Sequence, residues 1–376
     1  MRKLLSLLLV LVLVMGTLAA CGGGGTSEEE KPYKIGIITG TVSQGEEEYQ
    51  AAQNAKAKYG DMIVTATYPD NFSSETEATI AQVVGLASDP DVMAIVFVQA
   101  VPGAAAAIDK VRETRPDMLF IAGVCAEDPA TIASKADICL LVDEISMGTA
   151  VIEQAAKQGA ETFVHISFAR HLSYATISAR RDLFVSTCKE LGIEYVEATA
   201  PDPTGDAGIS GAQQWIIENV PALVAEYGPN TAFFSTNCGM QEPLIRTVAE
   251  QKAVYPQQCC PSPYHGYPAA FGIDVSGHEG DVEWMLEAIK AKVAEYDNSG
   301  RMSTWGIPVN MLMIEAGVEY AIAFCEGETD GALDEDVLFA KIREVGGETV
   351  VISNYEDEAA GILSNFYLLL CPFYDF

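Results

Sequence analysis

The chain has 376 residues, 22 of them basic and 53 acidic, for a net charge of −31 at pH 7. That balance excludes non-specific nucleic-acid binding and a basic membrane-binding face, both of which need clustered cations. Hydrophobic residues make up 49% and charged ones 20%, enough apolar material for more than one core and unlike a disordered polymer.

Arg2 and Lys3 precede an apolar run from Leu4 to Met15, and Leu18-Ala19-Ala20-Cys21 follows. This order is that of a secretory signal, and the run is too short to remain as a spanning helix. Leu-Ala-Ala-Cys resembles a bacterial lipobox. Residues 1–20 are therefore expected to be a lipoprotein signal peptide. Cys21 is expected to carry lipid at the outer face of the cell membrane, with residues 21–32 a flexible tether.

Strand and helix then alternate. Ile35 to Ile38 reads as a buried strand, 45–59 as a helix, Met62 to Tyr68 as a strand and 74–87 as a helix opened by Ser74 and Glu77. Ala94–Val98, Met118–Ala122 and Ile138–Val142 read as strands, with a helix at 102–115. The pattern resumes with helices at 146–158, 174–191, 208–226, 240–252 and 279–296. Between them fall strands Phe163–Phe168, Tyr195–Ala198, Ala232–Ser235 and Phe271–Val275. Helices at 310–325 and 334–344 and a strand at Thr349–Ser353 close the chain. Repeated βα units predict an α/β protein with doubly wound parallel sheets in two successive lobes.

Eight cysteines follow Cys21. Cys139 lies in an apolar run and Cys188 and Cys325 lie in helix-like stretches, so most are expected to be free buried thiols. The stretch from Cys259-Cys260-Pro261 to Tyr264-His265 is held open by prolines. It reads as a structural loop. The alternatives are an aromatic loop facing a ligand or a soft-metal site, and the absence of an accompanying Cys-x-x-Cys weighs against metal.

Three segments carry a family resemblance: Tyr33-Lys34-Ile35-Gly36-Ile37-Ile38, Asp89-Pro90-Asp91-Val92-Met93-Ala94-Ile95-Val96 and Phe271-Gly272-Ile273-Asp274-Val275-Ser276-Gly277. The chain resembles type I periplasmic binding proteins over about residues 33–355. With Ser167-Phe168-Ala169-Arg170-His171 and Cys259-Cys260-Pro261 included, it is most similar to a functionally uncharacterised family of bacterial lipoproteins of that fold. The resemblance implies two Rossmann-like lobes with parallel sheets, joined by a three-crossing hinge near Asp143-Glu144, Gly306-Ile307-Pro308 and residue 347. Lobe one would be 33–143 plus 308–346, and lobe two 144–307 plus 347–376, with ligand between them.

In open parallel sheets, ligand groups lie beyond the carboxyl ends of strands. That rule selects Thr39, Thr41 and Gln44 after the first strand, Asp70 and Asn71 after the second and Gln99 after the third. In lobe two it selects Phe168, Arg170, His171, Asn237 and Asp274, and Tyr264 is added from the proline-rich loop. Arg170 is expected to anchor an anionic or strongly polar group through its planar fork. The competing readings are a tight turn for 39–44, a capping turn for Asp70-Asn71, and a turn or hinge carboxylate for Asp274.

No Gly-x-Ser-x-Gly elbow, Walker loop or His-Glu-x-x-His helix occurs. A Cys238 nucleophile with His171 as base is conceivable, since both follow the carboxyl ends of strands. No catalytic residue, cofactor or metal is expected. The expected function is that of an extracytoplasmic, monomeric lipoprotein that binds a small polar molecule and no nucleic acid. Its partner would be the permease of an ABC importer. The alternatives are a membrane sensor or chemoreceptor as partner, or an extracytoplasmic enzyme.

Overall fold

Apolar runs of five to seven residues, too short for buried helices, form the central strands. In a computed structural model describing residues 33–376 apart from Glu279, β1 (Lys34–Thr39), β2 (Ile63–Thr67), β3 (Val92–Val98), β4 (Leu119–Gly123) and β5 (Ile138–Val142) pair in parallel. The signal, the tether and the lipidation expected at Cys21 lie outside the described residues. Side chains alternate across this sheet. Ile35, Ile37, Val96, Val98, Ile121 and Leu140 share one core, and Ile38, Ile95, Phe97, Phe120, Cys139 and Leu141 share the other. The two-residue period places each set under its own layer of helices.

The end of the chain departs from expectation. β10 (Val351–Asp357) and β11 (Gly361–Leu370) extend the first sheet, whose order is β10-β11-β5-β4-β3-β1-β2. β11 runs parallel to β5, with Phe366 to Leu369 facing Cys139 to Val142, and β10 returns antiparallel. Residues 351–370 therefore belong to lobe one, not lobe two. An uncovered β5 edge would leave a row of unpaired amides beside an apolar run, and the run Phe366–Leu369 covers it. The third passage between lobes falls near Cys371–Pro372 instead of residue 347. The other two fall between β5 and helix Glu144–Lys157 and between β9 (Ser303–Trp305) and helix Val309–Cys325.

In lobe two, β6 (Thr162–Ser167) lies between β7 (Glu194–Thr199) and β8 (Thr231–Ser235), all parallel. Bridges from Ala232 to Val254 and from Tyr255 to Met302 carry the layer toward β9, which pairs with β12 (Phe373–Asp375). The strand expected at Phe271–Val275 is not formed. Residues Tyr267–Phe271 make a short helix with Pro268 in its first turn, between Gly266 and Gly272 in the left-handed region. The segment Val254–Tyr255 occupies the sheet position instead.

Helix starts follow local chemistry. Asp128, Asp143, Asp281 and Asp334 cap their helices by accepting from Thr131, Ser146, Trp284 and Val337 amides. The Ser74–Glu77 cap is not made: that helix begins at Thr76, and the Ser74 hydroxyl donates to the Asn71 carbonyl.

Candidate functional site

Loops at the carboxyl ends of both sheets meet at a cavity of about 60 Å³. Lobe one contributes Gln44, Phe72, Gln99 and the turn Val124–Ala126 to its lining; lobe two contributes Glu144, Arg170, His171, Tyr174, Thr236, Asn237 and Cys238. The volume is well below the roughly 300–1,000 Å³ of pockets that enclose a small organic ligand, so a solute with a ring needs the lobes to part. A wider groove of about 510 Å³ beside Glu356, Asp357 and Glu358 is shallow, acidic and without converging donors.

Contacts cross the cleft at several points. Thr204 Oγ1 lies 3.1 Å from Ser73 Oγ, Gln99 Nε2 lies 3.6 Å from Cys238 Sγ, and the Arg170 guanidinium sits 5.7 Å from the centre of the Phe72 ring. These contacts are those of a closed arrangement.

The expected site residues separate into groups. Gln44, Gln99, Arg170, His171 and Asn237 line the cavity. Thr41 donates to Asp70, whose carbonyl accepts from Gln44 Nε2 at 3.2 Å, so this trio shapes one wall. Thr39 is buried with its hydroxyl on the Gly40 carbonyl. Asn71 is exposed and its carbonyl starts the following turn. Phe168 lies beneath the site, its ring 4.2 Å from that of His171. Tyr264 reaches the His278 carbonyl at 3.4 Å, outside the cavity lining. Asp274 accepts from the Ser276 hydroxyl on an exposed turn outside the cavity lining, and the strand expected to carry it is absent.

Arg170 is not a free anchor. Its Nε and Nη2 donate to both Asp202 oxygens at 2.8 and 2.9 Å, and Nη1 donates to the Tyr174 hydroxyl at 2.9 Å. Phe168 and Tyr174 also stack beside it. The fork is satisfied by lobe two itself, so the charge expected to meet an anion is already neutralised. Burial pushes the Asp202 carboxyl up, but Arg170 and the Thr204 amide outweigh it and hold the carboxyl below the usual range. His171 is driven down to about 3 by burial and by the Arg170 and Arg180 charges, so it is neutral. Cys238 and His171 line the same cavity but share no hydrogen bond, and the dyad is not assembled.

A second buried group lies against the cavity. Cys238 Sγ is 3.4 Å from Cys259 Sγ and 3.8 Å from Cys260 Sγ. His265 Nδ1 lies 2.7 Å from the Cys260 carbonyl, and Gln241 Nε2 lies 3.5 Å from Cys259 Sγ. From lobe one, Glu48 accepts from Gln99 at 3.0 Å and from Asn310 at 3.3 Å. Glu47 accepts from the Met311 amide at 3.2 Å, and its other oxygen has no partner among the described residues. Burial raises Glu47 to about 8 and Glu48 to about 7. Burial also opposes ionisation of Cys259, but S–H donation from Cys238 and Cys260 and the Arg180 charge hold it well below an ordinary thiol.

These glutamates escaped the sequence reading, which took residues 45–59 only as a helix. Their signal was present: Gln44, Glu47, Glu48, Ala51, Ala52 and Ala55 fall at the spacing of one buried helix face.

The two lobes, their parallel sheets and the cavity between them define the type I periplasmic solute-binding fold. Solved structures agree. A solute-binding protein from Clostridium phytofermentas with bound L-rhamnose is 10% identical with a TM-score of 0.53, covering 92% of this chain and 96% of that one. One from Actinobacillus succinogenes 130z with bound D-allose is 13% identical with a TM-score of 0.52, covering 82% and 99%. A crystal structure from Clostridium difficile 630 is 22% identical with a TM-score of 0.71, covering 92% and 99%. The chain belongs to the family described as "Protein of unknown function (DUF3798)", whose model matches residues 33–303. Two proteins of Treponema pallidum (strain Nichols), both described as uncharacterized, are similar to it. One is 37% identical over 180 residues, 46% of this chain and 81% of the relative; the other is 35% identical over 160 residues, 43% and 74%.

Proposed function

We propose that this protein is the solute receptor of an ABC importer: an extracytoplasmic lipoprotein, anchored through Cys21, that closes its lobes on a small polar molecule. The observation that carries the reading is a cavity lined from both lobes by uncharged donors and acceptors. Gln44 and Gln99 face Thr236 and Asn237, with Phe72 and the neutral His171 as flat surfaces. The charged groups there are matched in pairs, Arg170 with Asp202 and Arg180 with Glu144. The solute class favoured is therefore polar and uncharged, or internally balanced. Among the described residues no helix is long and apolar enough to cross a membrane, which suits a body tethered from outside the fold.

Closure follows because a solute touching both lobes binds the closed state better than the open one. In the test, small molecules released from the purified protein by denaturation are identified by mass spectrometry and added back. The expected results are a higher melting temperature and a smaller radius of gyration in X-ray scattering. A protein that carries no small molecule, gains no stability from sugars, nucleosides, amino acids or small carboxylates, and keeps one radius throughout overturns the reading.

A further inference from the structure

The solute reading leaves a group of side chains unexplained: three sulfurs and an imidazole packed against the inner end of the cleft, faced by two buried glutamates. We propose that Cys238, Cys259 and His265 form a binding site for a soft or borderline divalent transition-metal ion, with zinc as the reference ion.

The geometry supports coordination. Their ligand atoms all lie within 4.8 Å of one another. Zinc–sulfur bonds of about 2.3 Å at tetrahedral angles put two sulfurs about 3.8 Å apart. The separations here are 3.4 Å for Cys238–Cys259 and 3.8 Å for Cys238–Cys260, so the thiols are already set at coordination distance. A disulfide would need the sulfurs at about 2.05 Å.

The surroundings match a metal site as well. A carbonyl only accepts, so the 2.7 Å contact with the Cys260 carbonyl places a proton on His265 Nδ1, which makes Nε2 the nitrogen that would ligate once it carries no proton. Orientation of one imidazole nitrogen by a backbone carbonyl is the usual support for a ligating histidine. Gln241, itself held by the Tyr255 hydroxyl, donates to Cys259, and Gln99 donates to Cys238. Two thiolates and an imidazole give a set that selects borderline and soft ions over calcium or magnesium.

Charge points the same way. The chain carries −31 overall, and a field of that sign draws a cation inward. Loading releases whatever protons the ligating thiols hold, since metal binding requires the thiolate. The three principal ligands belong to lobe two, whereas Gln99 and Glu48 belong to lobe one. A bound ion would thus be met by lobe one only when the cleft is shut.

The test uses chelator-stripped protein kept in a thiol-free reductant, with zinc and cobalt as probes. The expected result is one equivalent of zinc retained through dialysis, and cobalt spectra with thiolate charge-transfer bands and the strong visible bands of a tetrahedral site. X-ray absorption on the zinc form should give sulfur at about 2.3 Å and nitrogen at about 2.0–2.1 Å. Cys238→Ser, Cys259→Ser and His265→Gln should each weaken zinc binding more than about 100-fold, beyond the 10–100-fold typical of losing an outer partner. Cys188→Ser, at a buried thiol outside the ligand group, should bind like the parent. Melting curves of the metal-free variants separate misfolding from ligand loss, and the spectra of the parent stand without any variant. No stoichiometric zinc in the reduced parent overturns the site. So does binding that survives both Cys238→Ser and Cys259→Ser, or oxygen-only scattering. Each of these results would leave lobe closure on an organic solute standing, because that reading is measured separately.

Discussion

Arg170 and Asp202 provide a sharp test of how the cleft wall is held. The pair joins the start of helix Ala169–Leu172 to the loop after β7 through two parallel charge-assisted bonds of 2.8 and 2.9 Å. Their side chains are 19% and 26% exposed, so screening is partial and neither charge is fully desolvated. Hydrogen bonds to charged groups contribute about 1.5–3 kcal/mol, and coupling energies of contacting residues reach about 0.5–3 kcal/mol. Thr204 also donates to Asp202 through its amide and hydroxyl, both at 2.9 Å, which leaves the carboxylate partly satisfied when Arg170 is removed. A coupling of about 1–2 kcal/mol is therefore expected in a double-mutant cycle of Arg170→Ala and Asp202→Ala, read by urea unfolding at pH 7. The folded-state carboxyl lies below the ordinary aspartate range, so the stabilisation is present above the unfolded-state value and is lost as pH falls through the folded-state value. Additive single variants, with coupling below about 0.3 kcal/mol at pH 7, would refute the reasoning. They would return Arg170 to the role of a free anchor.

Three further outcomes follow from the same geometry. His165, buried in β6 beside Arg180 and Arg181, is driven down to about 3 from 6.5 by burial first and by those charges second. The unfolded chain binds its proton more readily, so stability should fall by up to about 1.4 kcal/mol per pH unit as pH drops from 6.5 toward 3. His165→Phe should flatten that limb of a pH-melting series by one proton, and an unchanged slope would count against it. At Gly45 an added Cβ would stand 2.0 Å from Glu48 Oε1, so Gly45→Ala should displace that carboxylate and destabilise the fold by about 1–3 kcal/mol in denaturant titration; a neutral effect would mean the carboxylate moves freely. Cys21→Ala should shift the protein from the detergent phase to the aqueous phase in a partition assay, and retention in detergent would remove the lipid anchor.

The sequence by itself determined the architecture wherever both faces of a strand are apolar. Ile35–Ile38 and Ile138–Val142 carry no competing helical period, and both form strands of the first sheet. Tertiary structure decided what depends on a distant partner. The run Phe366–Leu369 is compatible with either lobe until β5 offers its open edge. Phe271–Val275 has strand-like composition, but Pro268 and the flanking left-handed glycines turn it into helix and loop while Val254–Tyr255 takes the sheet position. Arg170 satisfies the rule that binding groups follow strand ends, yet the sequence does not reveal that Asp202, after a neighbouring strand, occupies its fork. The sulfur cluster is the clearest case. Cys238 follows β8, while Cys259, Cys260 and His265 lie on a proline-stiffened loop more than twenty residues on. No local spacing joins them. They meet because that loop folds back over the 3-10 turn Cys238–Met240, and only packing in three dimensions brings their sulfurs to within 4 Å.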